Sequence, residues 1–322
     1  VKVRVLSGLL AVSLTLNVAG LVFFIGFLNL SGHYKTLKRQ RSEMEHSLNV
    51  IKTESLMPGS SQAGEIFRRT FISQVDGEPD AFAVMPPSAY QPNTDYTLVV
   101  YLHGMGSNYM EPFTAPAGEP LADALAARNH SLVILSCNYR KLSSWGSDNA
   151  IADISQNIHE VSAQYPIKRI VMMGTSMGGC TALTYVEKAP ADIKQKIVGV
   201  VSVESAGDLA SLYHLTRHPM IQPALIAAAG GAPEQVPEAY RKLSFIPNLD
   251  QFPDTAAVCV VSARSDIIVP PQLQKDVVSA LESKHVPVKM IEIDGAHGAP
   301  PAPVYLQALD FVLPGKETAY VR

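Results

Sequence analysis

From residue 66 onward, short apolar runs alternate with segments whose apolar residues recur every three or four positions. "RRTFISQV" and "DAFAVMPP" read as an opening pair of strands, and "YTLVVYLHG" (96–104) as a fully buried one. "EPLADALAARNH" follows as a helix and "SLVILSC" (131–137) as a strand. In 148–165, Ile151, Ile154, Ile158 and Val161 fall on one helical face, with Asp148 placed to cap the start. "KRIVMMG" reads as a strand and 176–188 as a helix. Three further strands lie in 196–204, 256–263 and 286–293, with a helix over about 271–285 and a last one near 302–313. Near-continuous apolar strands between amphipathic helices mean a mostly parallel sheet covered on both faces. Residues 205–250 break the alternation. They are interrupted by Pro and Gly, follow a strand end where open sheets place their ligands, and read as a small cap insertion.

Upstream of residue 66 the pattern changes. Residues 5–30 carry no charge, and roughly 20 apolar residues cross a bilayer core. The run exceeds the apolar region of about 7–15 residues usual in a cleavable signal, and no Ala-x-Ala exit closes it. Residues 1–32 are therefore expected to be an uncleaved single-pass anchor lying in a lipid bilayer. The alternative is a secreted protein after signal cleavage. Residues 33–65 are expected to hold a short juxtamembrane helix and a linker, "MPGSSQAGE" (57–65), ahead of a single α/β domain over 66–322. Lys2 and Arg4 precede the apolar run, but Lys35, Lys38, Arg39 and Arg41 follow it, so a count of positive charges does not fix sidedness. Signal-anchor precedent favours an extracytoplasmic domain.

Charge divides the chain the same way. Residues 1–52 hold seven Lys/Arg and two Asp/Glu, which leaves 19 basic and 27 acidic residues beyond them. An acidic domain without a basic stripe argues against a nucleic-acid partner. The basic stretch beside the apolar run suits lipid headgroups or a solvated face. The three cysteines, Cys137, Cys180 and Cys259, form no C-x-x-C pair and give a zinc or redox site no support.

The candidate chemistry lies at strand ends. "Gly174-Thr175-Ser176-Met177-Gly178" fits G-x-S-x-G between a strand and a helix, where glycines allow a tight turn and present the serine at the helix N-terminus. The bland reading of the same glycines is close packing alone. A serine hydroxyl needs a base. His297 lies between the last strand and the last helix, downstream of Ser176. His130, His159 and His285 read as surface residues of helices. The base needs a carboxylate to orient it. Asp266 follows a strand in "SARSDIIVP" and is preferred to Asp294, which reads as a turn former. "LHGMG" (102–106) follows the strand 97–102, and the Met105 and Met177 N–H groups are expected to form an oxyanion hole. His103 is read as a loop-stabilising hydrogen-bonder. Tyr139 and Trp145, in a loop leaving a strand end, and Tyr213 and His214, in the cap, are candidate pocket residues, with loop packing as the equal alternative.

Together "YLHGMGSN", "GTSMGG", "SARSDIIVP" and "DGAHG" resemble the α/β-hydrolase superfamily over about residues 66–314. "YPIKRIVMMGTSMGG" and "SVESAGDL" resemble its esterase branch near prolyl-oligopeptidase-like and dienelactone-hydrolase-like members. "HGMG" departs from the "HGGG" of hormone-sensitive-lipase-like esterases. The resemblance implies an eight-stranded sheet, a triad of Ser176, Asp266 and His297, and no cofactor or metal. The expected activity is hydrolysis of small or medium acyl esters. A peptidase or amidase of the same fold is the alternative within chemistry, and a non-catalytic, membrane-anchored binding module is the alternative outside it.

Overall fold

Strands that are apolar at every position must be covered on both faces, and the computed structural model shows how. It describes residues 64–314 apart from 89, 92, 93, 116, 117, 141 and 142. The expected anchor over 5–30, the juxtamembrane helix and all but the end of the linker lie outside the described residues. Among the described residues no helix is long and apolar enough to cross a membrane.

In chain order, β1 (Phe67–Ile72), β2 (Pro79–Met85) and β3 (Tyr96–Leu102) lead into a single 3-10 turn, Glu111–Phe113. Then come α1 (Leu121–Arg128), β4 (Leu132–Cys137), α2 (Asp148–Ser162), β5 (Ile167–Thr175), α3 (Met177–Lys188) and the short α4 (Ala191–Lys194). After β6 (Ile197–Val203) follow α5 (Leu209–Leu215), α6 (Ile221–Ala229), α7 (Pro237–Leu243) and a 3-10 segment, Ile246–Gln251. The chain closes with β7 (Ala257–Ala263), α8 (Pro271–Ser283), β8 (Val288–Ile293) and α9 (Ala302–Val312). The eight strands form one sheet in the order β1-β2-β4-β3-β5-β6-β7-β8. β2 pairs antiparallel with β1 and with β4, and every other pairing is parallel.

Successive strand residues serve opposite faces. Leu98, Val100, Leu102, Val133 and Leu135 join one core with α2, α3 and α8. Val99, Tyr101, Leu132 and Ile134 join a second with α1 and α9. Burial of one such side chain is worth about 1.5–3 kcal/mol, so the doubly apolar strands are what commit the chain to this layered form. The helices obey the same logic. α2 buries Ile151, Ile154, Ile158 and Val161, and α8 buries Leu273, Val277 and Leu281 one helical turn apart. One expectation shifts by a residue. Ser147, not Asp148, is the N-cap of α2, and it makes no side-chain capping bond. Asp148 is the first helical residue and pairs with Lys188 of α3 at 3.1 Å.

The segment 205–250 packs into the same core as α3 and α8. Leu212, Leu225, Tyr240, Leu243 and Phe245 are buried, and Thr184 of α3 donates to the Leu243 carbonyl at 3.3 Å. The backbone N–H of Arg217 donates to the carbonyl of Ile267 at 3.0 Å, which brings this segment beside Asp266.

Candidate active site

Four neighbouring parallel strands, β5 to β8, end at one edge of the sheet, and each is followed by a polar residue of the site. β5 runs to Thr175, and the Ser176 N–H donates to Val203 at the end of β6 (2.7 Å). Ser176 itself has φ 56 and ψ −120, a conformation that non-glycine residues rarely hold. The turn it makes is close-packed. A Cβ on Gly178 would stand 2.0 Å from the carbonyl oxygen of Leu102, and one on Gly174 would stand 2.3 Å from that of Gly178. The glycines thus let the first turn of α3 lie directly against the end of β3.

Ser176 Oγ lies 2.9 Å from His297 Nε2, and His297 Nδ1 lies 2.6 Å from Asp266 Oδ2. A carboxylate only accepts, so Nδ1 carries the proton and Nε2 is left to accept from the Ser176 hydroxyl. Asp266 is fixed in turn. Its Oδ1 accepts the N–H groups of Ile268 (2.8 Å) and Val269 (2.9 Å). Asp266 is buried, Ser176 is 7% exposed, and the His297 side chain is 13% exposed. Asp294 stands apart, exposed and paired with Arg264 at 2.6 Å. The other histidines singled out in helix patterns have outer partners or positions too. His130 faces Ser88, His159 pairs with Asp192, and His285 follows α8.

Met177 is the first residue of α3, so its N–H has no intrahelical acceptor. Gly104 lies beside the serine, since a Cβ on it would be 3.9 Å from Ser176 Cβ, and Met105 follows. The loop holding Met105 is tied down by several bonds. Glu111 Oε2 accepts the Gly104 N–H (3.2 Å) while its Oε1 accepts from the Tyr101 hydroxyl (2.6 Å). Tyr101 reaches Thr175 Oγ1 (3.2 Å), which contacts the Tyr305 hydroxyl of α9 (2.5 Å). Burial pushes the Tyr101 hydroxyl well above the usual tyrosine range, helped by the Tyr305 and Glu111 charges, so it stays a donor. His103 bridges the carbonyls of Gly104 (2.8 Å) and Asn138 (3.2 Å), in keeping with a loop-stabilising part.

The suggested pocket residues divide. Tyr139 and Trp145 belong to the buried core and present no surface to a pocket. The Tyr139 hydroxyl donates to the His103 carbonyl, propping the loop from below, and Trp145 Nε1 donates to Ser143. The reason is the backbone between them: Tyr139, Arg140 and Trp145 all have positive φ (37, 88 and 49), folding the loop inward. Tyr213 is half-buried edge-on against Tyr240, and His214 is exposed and 3.2 Å from Glu234. Among the described residues no hydrogen bond or ion pair joins either to Ser176, Asp266 or His297. Cys180 is buried in α3, its sulfur accepts the Ala206 N–H, and burial pushes its thiol up to about 12.

Glu204 escaped the sequence reading. It follows β6, is fully buried, and its Oε2 stands 3.4 Å from His297 Nδ1 and 2.6 Å from the Gly298 nitrogen. The sequence signal was available in "SVESAGDL": like Asp266, it is a carboxylate just past an apolar strand. Among the described residues, Glu204, Asp266 and His297 are the three whose ligand atoms lie close enough, within 4.8 Å, to surround a metal ion. Two ligands each about 2.1 Å from one ion stand about 3 Å or more apart. The 2.6 Å between Nδ1 and Oδ2 is instead the spacing of a hydrogen bond.

A cavity of about 780 Å³ lies elsewhere, lined by Ile151, Gln156, Glu187, Lys188 and Arg241 among others, and none of the triad residues borders it.

The comparisons agree with this fold. A puromycin-hydrolyzing peptidase of Mycobacterium tuberculosis superposes with a TM-score of 0.61 at 21% identity, covering 78% of this chain and 40% of its own. The acylaminoacyl peptidase of Pyrococcus horikoshii gives 0.59 at 16% identity, covering 72% of this chain and 38% of its own. The chain therefore spans about two fifths of the length of these two peptidases. A fluorophosphonate-binding serine hydrolase, F, of Staphylococcus aureus gives 0.56 at 16% identity, and there the match covers 76% of this chain and 95% of its own. At these identities the likeness is one of fold. No curated protein sequence matches this one. A family model described as the alpha/beta hydrolase fold matches residues 97–276, more than half of the chain, and the protein belongs to that family.

Proposed function

We propose that the chain is a serine hydrolase that cleaves carboxylic esters through an acyl-enzyme. The observation that carries the reading is the unbroken line from Ser176 Oγ to His297 Nε2 (2.9 Å) and from His297 Nδ1 to Asp266 Oδ2 (2.6 Å). Ser176 Oγ attacks the acyl carbonyl while His297 Nε2 takes its proton. Asp266 holds the imidazole in the tautomer that can accept it and stabilises the imidazolium that forms. The N–H groups of Met105 and Met177 face the developing oxyanion, each worth about 10²–10³ in rate. His297 then returns the proton to the departing alkoxide, and water, activated by the same imidazole, releases the acid and restores Ser176.

A peptidase or amidase reading uses the same atoms with an amine as leaving group. It is favoured by the structural neighbours, several of which are peptidases, the two described above having chains more than twice as long as the stretch matched. The size-matched neighbour is a serine hydrolase. The charge-free run 5–30 supports placing the enzyme at a lipid bilayer, and signal-anchor precedent favours the extracytoplasmic side for its catalytic domain.

The test is direct. A fluorophosphonate probe is expected to label the full chain at Ser176 and to leave Ser176→Ala unlabelled. Equal labelling of the two would remove Ser176 as nucleophile. Turnover of p-nitrophenyl esters against aminoacyl anilides separates the two leaving groups, and faster anilide cleavage would favour the peptidase.

A further inference from the structure

The strand order β5-β6-β7-β8 delivers four side chains in succession at one edge: Ser176, Glu204, Asp266 and His297. The triad uses three of them. Glu204 is the fourth, and it sits on the strand between those of the nucleophile and the acid. Its backbone has φ 48, a conformation that a non-glycine residue keeps only where its surroundings hold it. Its N–H donates to the Val261 carbonyl of β7 at 2.8 Å. Oε2 accepts the Gly298 N–H at 2.6 Å and lies 3.4 Å from His297 Nδ1, while Oε1 is buried with no hydrogen-bond partner among the described residues. A buried carboxyl with an idle oxygen costs free energy, so packing alone gives no reason for it. Burial pushes its carboxyl up to about 7, against the pull of the Gly298 amide and of His297 and with a further push from Asp266. The titratable groups that face it are His297 from the loop after β8, Asp266 from the loop after β7, and Tyr305 from α9.

We propose that Glu204 is a positioning residue for His297, pinning the loop that carries the imidazole through the Gly298 amide and serving as a second acceptor for Nδ1–H. This rests on the triad reading above. Gly298 directly follows His297, so the bond to Oε2 sets the height of the imidazole over the strand ends. The second part follows from how Asp266 is held. Its Oδ1 is committed to the Ile268 and Val269 amides. In Asp266→Asn the amide oxygen stays there, and the new NH2 group confronts Nδ1–H, donor against donor. Glu204 Oε2 is then the acceptor at hand. It needs to close by only about 0.5 Å to reach an ordinary hydrogen-bond distance.

The experiment uses the full chain and p-nitrophenyl acetate, with kcat/KM measured against pH for wild type, Glu204→Gln, Asp266→Asn and the double variant. Ser176-dependent fluorophosphonate labelling is established first. Its failure would sink the triad reading and is a separate outcome from the failure of this proposal. Glu204→Gln keeps an oxygen for the Gly298 amide and removes only the charge. Glu204 is ionised at and above about pH 7, where its charge stabilises the imidazolium; with that charge gone, an acid limb in this range is expected to move to lower pH. In the Asp266→Asn background the same change is expected to cost about 10-fold more in kcat/KM than in wild type, because coupled residues depart from additivity. Glu204→Asp retracts the anion by one methylene and should move the limb the same way by less; this variant carries the test should Glu204→Gln fail to fold. An unmoved acid limb, or an equal factor lost in both backgrounds, overturns the proposal.

Discussion

Gly178→Ala tests whether the close approach of α3 to β3 governs the site. The added Cβ would meet the Leu102 carbonyl oxygen at 2.0 Å, its carbon at 2.5 Å and the His103 carbonyl oxygen at 2.7 Å. All three are backbone atoms, so no side chain can swing away. Cβ atoms essentially never come within 3.0 Å of such an atom, so the first turn of α3 and the end of β3 must part by about 1 Å. The geometry makes that direction costly. Met177 lies on one side of the contact and the Met105 loop on the other, so the parting widens the gap between the two N–H groups assigned to the oxyanion. A misplacement of about 1 Å costs about 10²-fold in rate. Overpacking of this kind costs about 1–3 kcal/mol, which for a domain of this size lowers Tm by roughly 2–12 °C. The assays are the rate of fluorophosphonate labelling and a thermal melt. If Gly178→Ala labels at the wild-type rate and melts within about 1 °C of it, the contact does not set the geometry and the argument fails.

Two further predictions concern stability. Glu187, the last residue but one of α3, has both carboxyl oxygens buried with no hydrogen-bond partner among the described residues, and burial pushes it up to about 9 from an ordinary 4.5, against the pull of Lys188, Lys194 and Lys284. Between those values the folded chain keeps a proton that the unfolded chain has released, so stability falls as pH rises, by up to about 1.4 kcal/mol per pH unit from this group. Glu187→Gln should therefore gain on wild type in Tm from pH 5 to pH 8; a constant difference would contradict the burial argument. Arg140 joins buried Asp153 to Asp76 (2.6 Å) and Ser73 (2.6 Å). Arg140→Met strips buried Asp153 of its cationic partner and leaves it the Ser73 hydroxyl (2.6 Å), which should cost up to about 3–5 kcal/mol in urea unfolding, while Arg140→Met with Asp153→Asn should recover most of it. No recovery would mean the loss comes from packing.

The sheet was legible because β3 to β7 are apolar at nearly every position, a pattern only a doubly covered strand requires. Ser176, Asp266 and His297 were legible for a related reason. Each follows such a run directly, and a parallel sheet brings its strand ends to one edge. What failed was local. Nothing in "NYRKLSSWG" announces that Tyr139, Arg140 and Trp145 take positive φ, since L-residues of those types rarely do. Their side chains therefore looked free to line a pocket and are buried instead. Asp148 missed the capping position by one residue, which helix periodicity does not resolve. Glu204 carried the same strand-end signature as Asp266. It was passed over because a triad needs one acid, and a chain read for three roles offers no place for a fourth. The residues before 64 lie outside this comparison.

The hydrogen bonds from Gly104 through Glu111, Tyr101 and Thr175 to Tyr305 have a consequence for how the enzyme can move. They run from the loop after β3, beneath the serine turn, to the helix that follows the histidine. Three parts of the site that are far apart in the chain are thereby bolted into one body, and none can shift alone without breaking one of these bonds. On the proposed reading, substrate meets these three parts already at their working spacing, and binding does not have to assemble them.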